Sequence, residues 1–192
     1  MTANVLLLQP KIVVALVRWI LRRPDVAGGV PFGCPRDTFF LWAIVAGTAV
    51  ELGVVEFLLV MLRVPVGWTV AAAALHAYAV FWLLGMMAGF AVRPHLLTAE
   101  HVIVRDGLFT ELTFPYESVA GAVAAVKRAD GFGGRTGLKV RDGVATLAYD
   151  DATVRIDFRP DAVIFRDGVR VATPYKSLWI SVGDAPGFVE WF

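Results

Sequence analysis

Two long apolar segments set the strongest limit on what this chain can fold into. The first runs from Phe39 to Leu62 and the second from Trp68 to Val92. Each exceeds the roughly 20 apolar residues that a helix needs to cross about 30 Å of hydrocarbon. Only residues 63–67 separate the segments, so the connection must turn the chain straight back. The sequence therefore predicts a hairpin of two transmembrane helices at residues 38–93.

The composition agrees with a membrane protein and excludes several other classes. Hydrophobic residues make up 57% of the chain and charged residues 18%, whereas about a quarter of the residues in a soluble domain are charged. The net charge of +1 is too small, and the basic residues too dispersed, for a nucleic-acid-binding surface. Since Cys34 is the only cysteine, neither an intramolecular disulfide nor a multi-cysteine metal site is possible.

The positive charges beside the two segments predict their orientation. The loop between the two segments carries one basic residue, Arg63. The basic residues before the first segment and directly after the second are Lys11, Arg18, Arg22, Arg23, Arg36 and Arg93. Cytoplasmic flanks of membrane helices are enriched in Lys and Arg. We therefore expect a multi-pass protein of the inner (plasma) membrane with both termini in the cytoplasm.

Residues 1–37 are predicted to form an amphipathic helix followed by a linker. Lys11, Arg18 and Arg22 recur at near-helical spacing among apolar residues, which is typical of a helix lying in the membrane interface. A third span and a helix packed on the C-terminal domain are the alternatives. Glycines and prolines between residues 28 and 35 then predict an irregular linker.

Three ionisable residues fall within the predicted spans: Glu51, Glu56 and His76. Such groups are costly in hydrocarbon and usually face a partner or a cavity. At 1.5 Å per residue, Glu56 and His76 come to about the same depth, which predicts a hydrogen bond between them. Glu51 lies roughly 140° around the helix from Glu56 and would face another subunit, a partner protein or water.

Two further interpretations of the spans remain open. The three ionisable residues would also suit a proton or ion pathway, as in a small accessory subunit of a transporter or channel. Small residues recur at close spacing, including Gly85 and Gly89 in a G-x-x-x-G pattern. That spacing lets helix backbones approach closely, either within the hairpin or between the copies of a homo-oligomer.

After Arg93 and Pro94 the pattern changes from helical to alternating. Residues 153–159 place apolar side chains on one face and polar ones on the other, as in a half-buried strand, and residues 108–114 behave similarly. Arg-Asp-Gly occurs at 105–107, 141–143 and 166–168, and Asp-Gly is a strong hairpin-turn signal. Residues 94–192 are thus predicted to form an all-β antiparallel barrel or sandwich. Asp184 and Pro186 predict a short C-terminal helix that presents Phe188, Trp191 and Phe192 to it.

The run from His95 to Val126 resembles the opening of bacterial PH-like domains that follow a two-helix membrane anchor. The matching elements are Leu97-Thr98, Val102 and Val104, Gly107, and Phe114-Pro115-Tyr116 with Val119. The resemblance covers about 30 residues, together with the helical pair before them and the terminal helix. It implies a PH-like β domain on the cytoplasmic side of the membrane, and it implies no catalytic activity.

The sequence contains no nucleophile motif, phosphate-binding loop or CxxC, and its histidines share no metal-ligand spacing. We therefore expect no enzymatic activity, cofactor or metal.

One glycine-rich segment, residues 127–137, carries three basic residues, Lys127, Arg128 and Arg135. It is either a solvated hairpin loop or a loop that binds anionic headgroups or a partner. The prediction is a non-enzymatic membrane protein whose PH-like domain binds another protein or the membrane surface.

Overall fold

A computed structural model describes residues 5–26, 28–34, 39–128, 137–148, 151–172 and 175–192. The helices are α1 Val5–Ile20, α2 Phe39–Met61, α3 Val66–Val92 and α4 Ala185–Val189. The strands are β1 Val30–Phe32, β2 His95–Leu97, β3 His101–Asp106, β4 Thr110–Pro115, β5 Val119–Lys127, β6 Lys139–Arg141, β7 Val144–Leu147, β8 Ala152–Phe158, β9 Phe165–Arg166, β10 Val169–Arg170 and β11 Ser177–Ile180. A helical hairpin is thus followed by a β domain and a short helix, as predicted.

Helices α2 and α3 form the hairpin. In the part of the chain that the structure describes, these two helices are long and apolar enough to cross a membrane. In the most apolar stretch of α2, no residue is buried against the rest of the chain. In the corresponding stretch of α3, 11% of the residues are buried. Because a soluble protein would bury such surface in its core, their exposure favours coverage by lipid.

Helix α1 packs lengthwise on the second half of α3. Gln9 donates a hydrogen bond to the Tyr78 hydroxyl at 3.0 Å, and Ile12 lies directly against Gly85. Because the contacts advance in the same sense along both helices, α1 and α3 run parallel. The sequence predicted an interfacial helix, with a third span or a helix packed on the β domain as alternatives, and the depth of α1 in a bilayer stays a prediction.

The β domain consists of two sheets, with strand orders β1-β2-β3-β4-β9-β10 and β5-β8-β11-β7-β6. Apolar residues from both sheets, among them Phe114 and Ile156, form one core between them. Strand β1 comes from the segment predicted to be an irregular linker, and its Phe32 reaches this core, so the linker contributes an edge strand. One pairing departs from the antiparallel prediction: β7 and β11 are parallel, because a long excursion through β8–β10 separates them.

The predicted turns are confirmed. Asp142 and Gly143 connect β6 to β7, and Asp167 and Gly168 connect β9 to β10, with all four residues at positive φ. Positive φ at both central positions is the type I′ geometry that matches the twist of a hairpin. The third Asp-Gly pair lies in the β3–β4 turn, where Gly107 has a φ of 51°.

The C-terminal helix is also capped as predicted. Asp184 accepts a hydrogen bond from the Gly187 amide at 3.0 Å. Phe188 is fully buried and packs edge-on against Phe32, with ring centroids 5.2 Å apart. The expectation for the last two aromatics is met by Phe192, which packs against Tyr116 of the β domain, but not by Trp191, which stays 47% exposed.

Candidate functional site

The three ionisable residues of α2 and α3 do not meet. His76 Nδ1 lies 2.8 Å from the carbonyl oxygen of Ala72, one turn earlier on the same helix. Because a carbonyl only accepts, this nitrogen carries the proton. Oε1 of Glu56 is buried without a hydrogen-bond partner, and Glu51 is exposed. The predicted hydrogen bond between Glu56 and His76 is therefore not formed: Nδ1 of His76 is bonded within its own helix, and Glu56 Oε1 has no partner.

The predicted basic loop is only partly described. Lys127 is the last residue of β5, Arg128 follows it and is exposed, and Arg135 lies outside the described residues. The Lys127 amine donates a hydrogen bond to Thr146 Oγ1 at 3.1 Å and lies 5.6 Å from the centre of the Trp179 ring. Lys127 thus belongs to the surface of the second sheet.

That outer sheet surface carries a row of five side chains, one from each strand. The pairing places them in register in the order Val123, Arg155, Trp179, Thr146 and Lys139. The Arg155 guanidinium lies 5.9 Å from the Trp179 ring centre, so cations approach this ring from β5 and from β8. Such cation–π contacts stabilise by about 0.5–1 kcal/mol each at exposed sites. We call this row the Trp179 face.

A second group of charged residues lies where the hairpin joins the β domain. Arg93, just past the end of α3, contacts Glu111 of β4 at 2.8 Å and donates a hydrogen bond to the Gly107 carbonyl at 2.9 Å. Arg105 of β3 contacts the same Glu111 oxygen at 2.8 Å. The two guanidinium groups therefore share one carboxylate.

Asp25 extends this group to α1. Its carboxylate lies 2.9 Å from Arg18 and 3.8 Å from Arg105, and its carbonyl accepts a hydrogen bond from Arg105 at 3.0 Å. The Asp25 amide in turn donates to the carbonyl oxygen of Val92 at 2.7 Å. One connected network thus fixes the ends of α1 and α3 to the first sheet, and we call it the junction cluster.

The junction cluster has more positive than negative charge. It contains Arg18, Arg93 and Arg105 against the carboxylates of Asp25 and Glu111. Burial lowers the pKa of Arg93 from its usual value, and the positive charge of Arg105 lowers it further, whereas Glu111 and Asp25 oppose this. Guanidinium groups nevertheless stay charged at neutral pH. The cluster therefore has a net charge of +1.

An open groove of about 370 Å³ borders the junction cluster. One part of its lining is apolar and includes Val14, Ala15 and Leu108. The other part is charged and consists of Lys11, Arg18 and Arg93 with the carboxylate of Asp25. Lys11 and Arg18 are seven residues apart on α1, two turns along one helix face. The volume falls in the range of roughly 300–1,000 Å³ that is usual for small-molecule sites.

From the sequence, Lys11, Arg18 and Arg93 were assigned to membrane orientation, and Lys11 and Arg18 also to an interfacial helix. Arg105, Glu111 and Asp25 were not singled out. A signal for one pair was present. Arg105 and Glu111 flank the Asp-Gly turn and lie directly opposite each other on β3 and β4. Opposite charges at facing positions of a predicted hairpin indicate a cross-strand pair. Asp25 is brought in by tertiary packing, for which the local sequence has no signal.

The chain matches no family model, no curated protein and no solved structure in these comparisons. Within the described ranges, no three His, Cys, Asp or Glu residues are grouped so that they would hold a metal ion.

Proposed function

We propose that this protein is a non-enzymatic, membrane-anchored binding module whose Trp179 face binds an acidic segment of another protein. Helices α2 and α3 cross the inner (plasma) membrane, and the β domain, which we propose to be PH-like, lies on the cytoplasmic side. The observation that carries the proposal is the row across the second sheet, where Trp179 lies between cations on a solvent-facing surface. Trp and Arg are the residues most enriched among those that dominate interface energies.

The charge of the face argues for an acidic partner. Arg155 and Lys139 of the face and the adjoining Lys127 contribute three positive charges. The adjoining Asp157, paired with Arg155 at 2.9 Å, contributes one negative charge. Charge complementarity of this kind accelerates encounter and selects against basic partners. The junction cluster supports the proposal as well, since a domain fixed to its anchor holds the face in one position relative to the membrane.

Site-specific photo-crosslinking in the source cell tests the proposal. A photoreactive residue at Val123, on the Trp179 face and 42% exposed, should give a discrete crosslinked product. Val169 is the matched control, because it is an exposed valine on the other sheet. Lys139→Glu and Trp179→Ala should each abolish the Val123 product. The same product at both valines, or persistence of the Val123 product in both variants, would contradict the proposal.

A second candidate function rests on the buried Oε1 of Glu56, which has no hydrogen-bond partner. In this alternative the protein is a small accessory subunit of a transporter or channel, and Glu51, Glu56 and His76 serve a partner helix or an ion. An unpartnered acid at this depth is costly unless a partner covers it. Copurification from mild detergent distinguishes the two candidate functions. If the protein is an accessory subunit, Glu56→Gln should lose a stoichiometric membrane partner, whereas the Trp179 variants should retain it.

A further inference from the structure

The groove beside the junction cluster is lined by apolar side chains and by charged ones, namely the three cations of Lys11, Arg18 and Arg93 and the one carboxylate of Asp25. Val14 and Ala15 of α1 and Leu108 of the β3–β4 turn form the apolar part. Lys11 and Arg18 flank Val14 and Ala15 on the same helix face. A ligand that fits this lining has a negative group and a hydrocarbon portion next to it.

The positive charge at the groove is incompletely neutralised. Lys11 has no hydrogen bond or ion pair with any residue that the structure describes. Arg18 is paired with Asp25, and the same carboxylate also faces Arg105 at 3.8 Å. With Lys11, four cations lie around two carboxylates, which leaves a net charge of +2. An anion in the groove would relieve this excess.

If α2 and α3 cross the membrane as proposed above, the groove lies at the depth of the lipid headgroups. Helix α3 has 27 residues and is about 40 Å long, which exceeds the hydrocarbon thickness of about 30 Å. If Val66 lies at the far boundary, the near boundary falls about 20 residues later, close to Gly85. Ile12 packs on Gly85, so the neighbouring Lys11 lies at that boundary and Arg18 lies farther toward the β domain.

We propose that this groove binds one anionic phospholipid from the leaflet next to the β domain. Its phosphate contacts Lys11 and Arg18, its glycerol ester region lies against the apolar wall formed by Val14 and Leu108, and its acyl chains extend past Lys11 into the hydrocarbon. The lipid would thereby brace α1 against the β domain. This inference depends on the proposed membrane placement but not on the Trp179 face, so failure of the crosslinking experiment would leave it intact.

Native mass spectrometry of the full chain in detergent tests the proposal with three probes: dioleoyl phosphatidylglycerol, dioleoyl phosphatidylcholine and inorganic phosphate. We expect one phosphatidylglycerol molecule to stay bound to the protein under conditions in which phosphatidylcholine dissociates. Lys11→Gln should weaken phosphatidylglycerol binding roughly five-fold, since one basic residue near an anionic lipid surface typically raises the affinity by about that factor. Val14→Phe, at a side chain that is 53% exposed, should weaken binding by filling the groove without removing a charge.

Arg23→Gln is the matched control. Arg23 is an exposed arginine just beyond the same helix, and it is not part of the groove lining. Equal retention of both lipids would overturn the proposal, as would losses in Arg23→Gln equal to those in Lys11→Gln, which would indicate diffuse surface attraction. Displacement of phosphatidylglycerol by millimolar inorganic phosphate would also overturn it, because the ligand would then be a free anion. Since both groove variants alter exposed side chains, unchanged melting without lipid confirms that they fold.

Discussion

Leu108, in the turn between β3 and β4, packs directly on Gly89 of α3. A Cβ atom at Gly89 would lie 2.5 Å from Leu108 Cγ, and one at Gly85 would clash with Ile12. The two glycines of the G-x-x-x-G pattern are therefore covered by the β domain and by α1. We had expected them to serve either packing within the hairpin or a dimer face.

Gly89→Leu should consequently destabilise the protein by about 1–3 kcal/mol, the usual cost of overpacking a closed contact. The expected fall in the melting temperature is several degrees. Gly53→Leu is the control, because an added Cβ there meets nothing within 4 Å. Thermal unfolding in detergent measures both, and equal melting of the two variants would show that the Leu108 contact is not tight.

Glu111→Gln tests the junction cluster. It removes the charge that Arg93 and Arg105 share, and Arg105 is only 7% exposed. Losing a hydrogen-bonded charge opposite a buried guanidinium should cost about 2 kcal/mol. Glu117→Gln, at an exposed glutamate, should cost nothing measurable. If denaturant unfolding does not distinguish the two variants, the cluster does not stabilise the docking of the β domain.

A double-mutant cycle on Glu56→Leu and His76→Leu should give additive effects, within about 0.3–0.5 kcal/mol. The reason is that His76 bonds to the Ala72 carbonyl while Glu56 Oε1 has no hydrogen-bond partner. Unfolding in detergent of the two single variants and the double variant supplies the numbers. A coupling near 1.7 kcal/mol, the largest typical of intramembrane hydrogen bonds, would restore the pairing predicted from depth.

Alkaline pH should destabilise the β domain through Tyr116. Burial raises the pKa of Tyr116 above its usual 10.0, and its hydroxyl donates to the Thr98 carbonyl at 2.9 Å. A folded-state pKa above the unfolded value means that the stabilisation is complete below about pH 10 and is lost as the pH rises further. Tyr116→Phe should make this decline shallower. Unfolding free energies between pH 8 and 11 measure it, and an equally steep decline in the variant would rule Tyr116 out as its source.

Cysteine labelling tests the orientation predicted from the positive charges. In a Cys34→Ser background, cysteines at Val66 and Asp142 should react from opposite sides of the membrane, with Asp142 on the cytoplasmic side. Both positions are exposed in the structure, at the start of α3 and in the β6–β7 turn. Labelling of both by an impermeant reagent added outside the cell would refute the orientation and, with it, the leaflet assigned to the lipid.

The sequence by itself determined the features whose causes are local. Apolar length predicted α2 and α3, Asp-Gly pairs predicted two hairpin turns through positive φ, and Asp184 predicted the cap of α4. Each signal acts within a few residues, since it depends on helix rise, backbone sterics or a single side-chain hydrogen bond.

The tertiary structure alone decided how these parts meet. The junction cluster brings Asp25 and Arg93 to the Arg105–Glu111 pair of the β3–β4 hairpin, and β1 joins the first sheet from before α2 and α3. The failed Glu56–His76 prediction has the same origin, because equal depth on two helices does not fix which way each side chain turns. Long-range contacts depend on packing over the whole chain, whereas periodicity and turn chemistry report only on neighbouring residues.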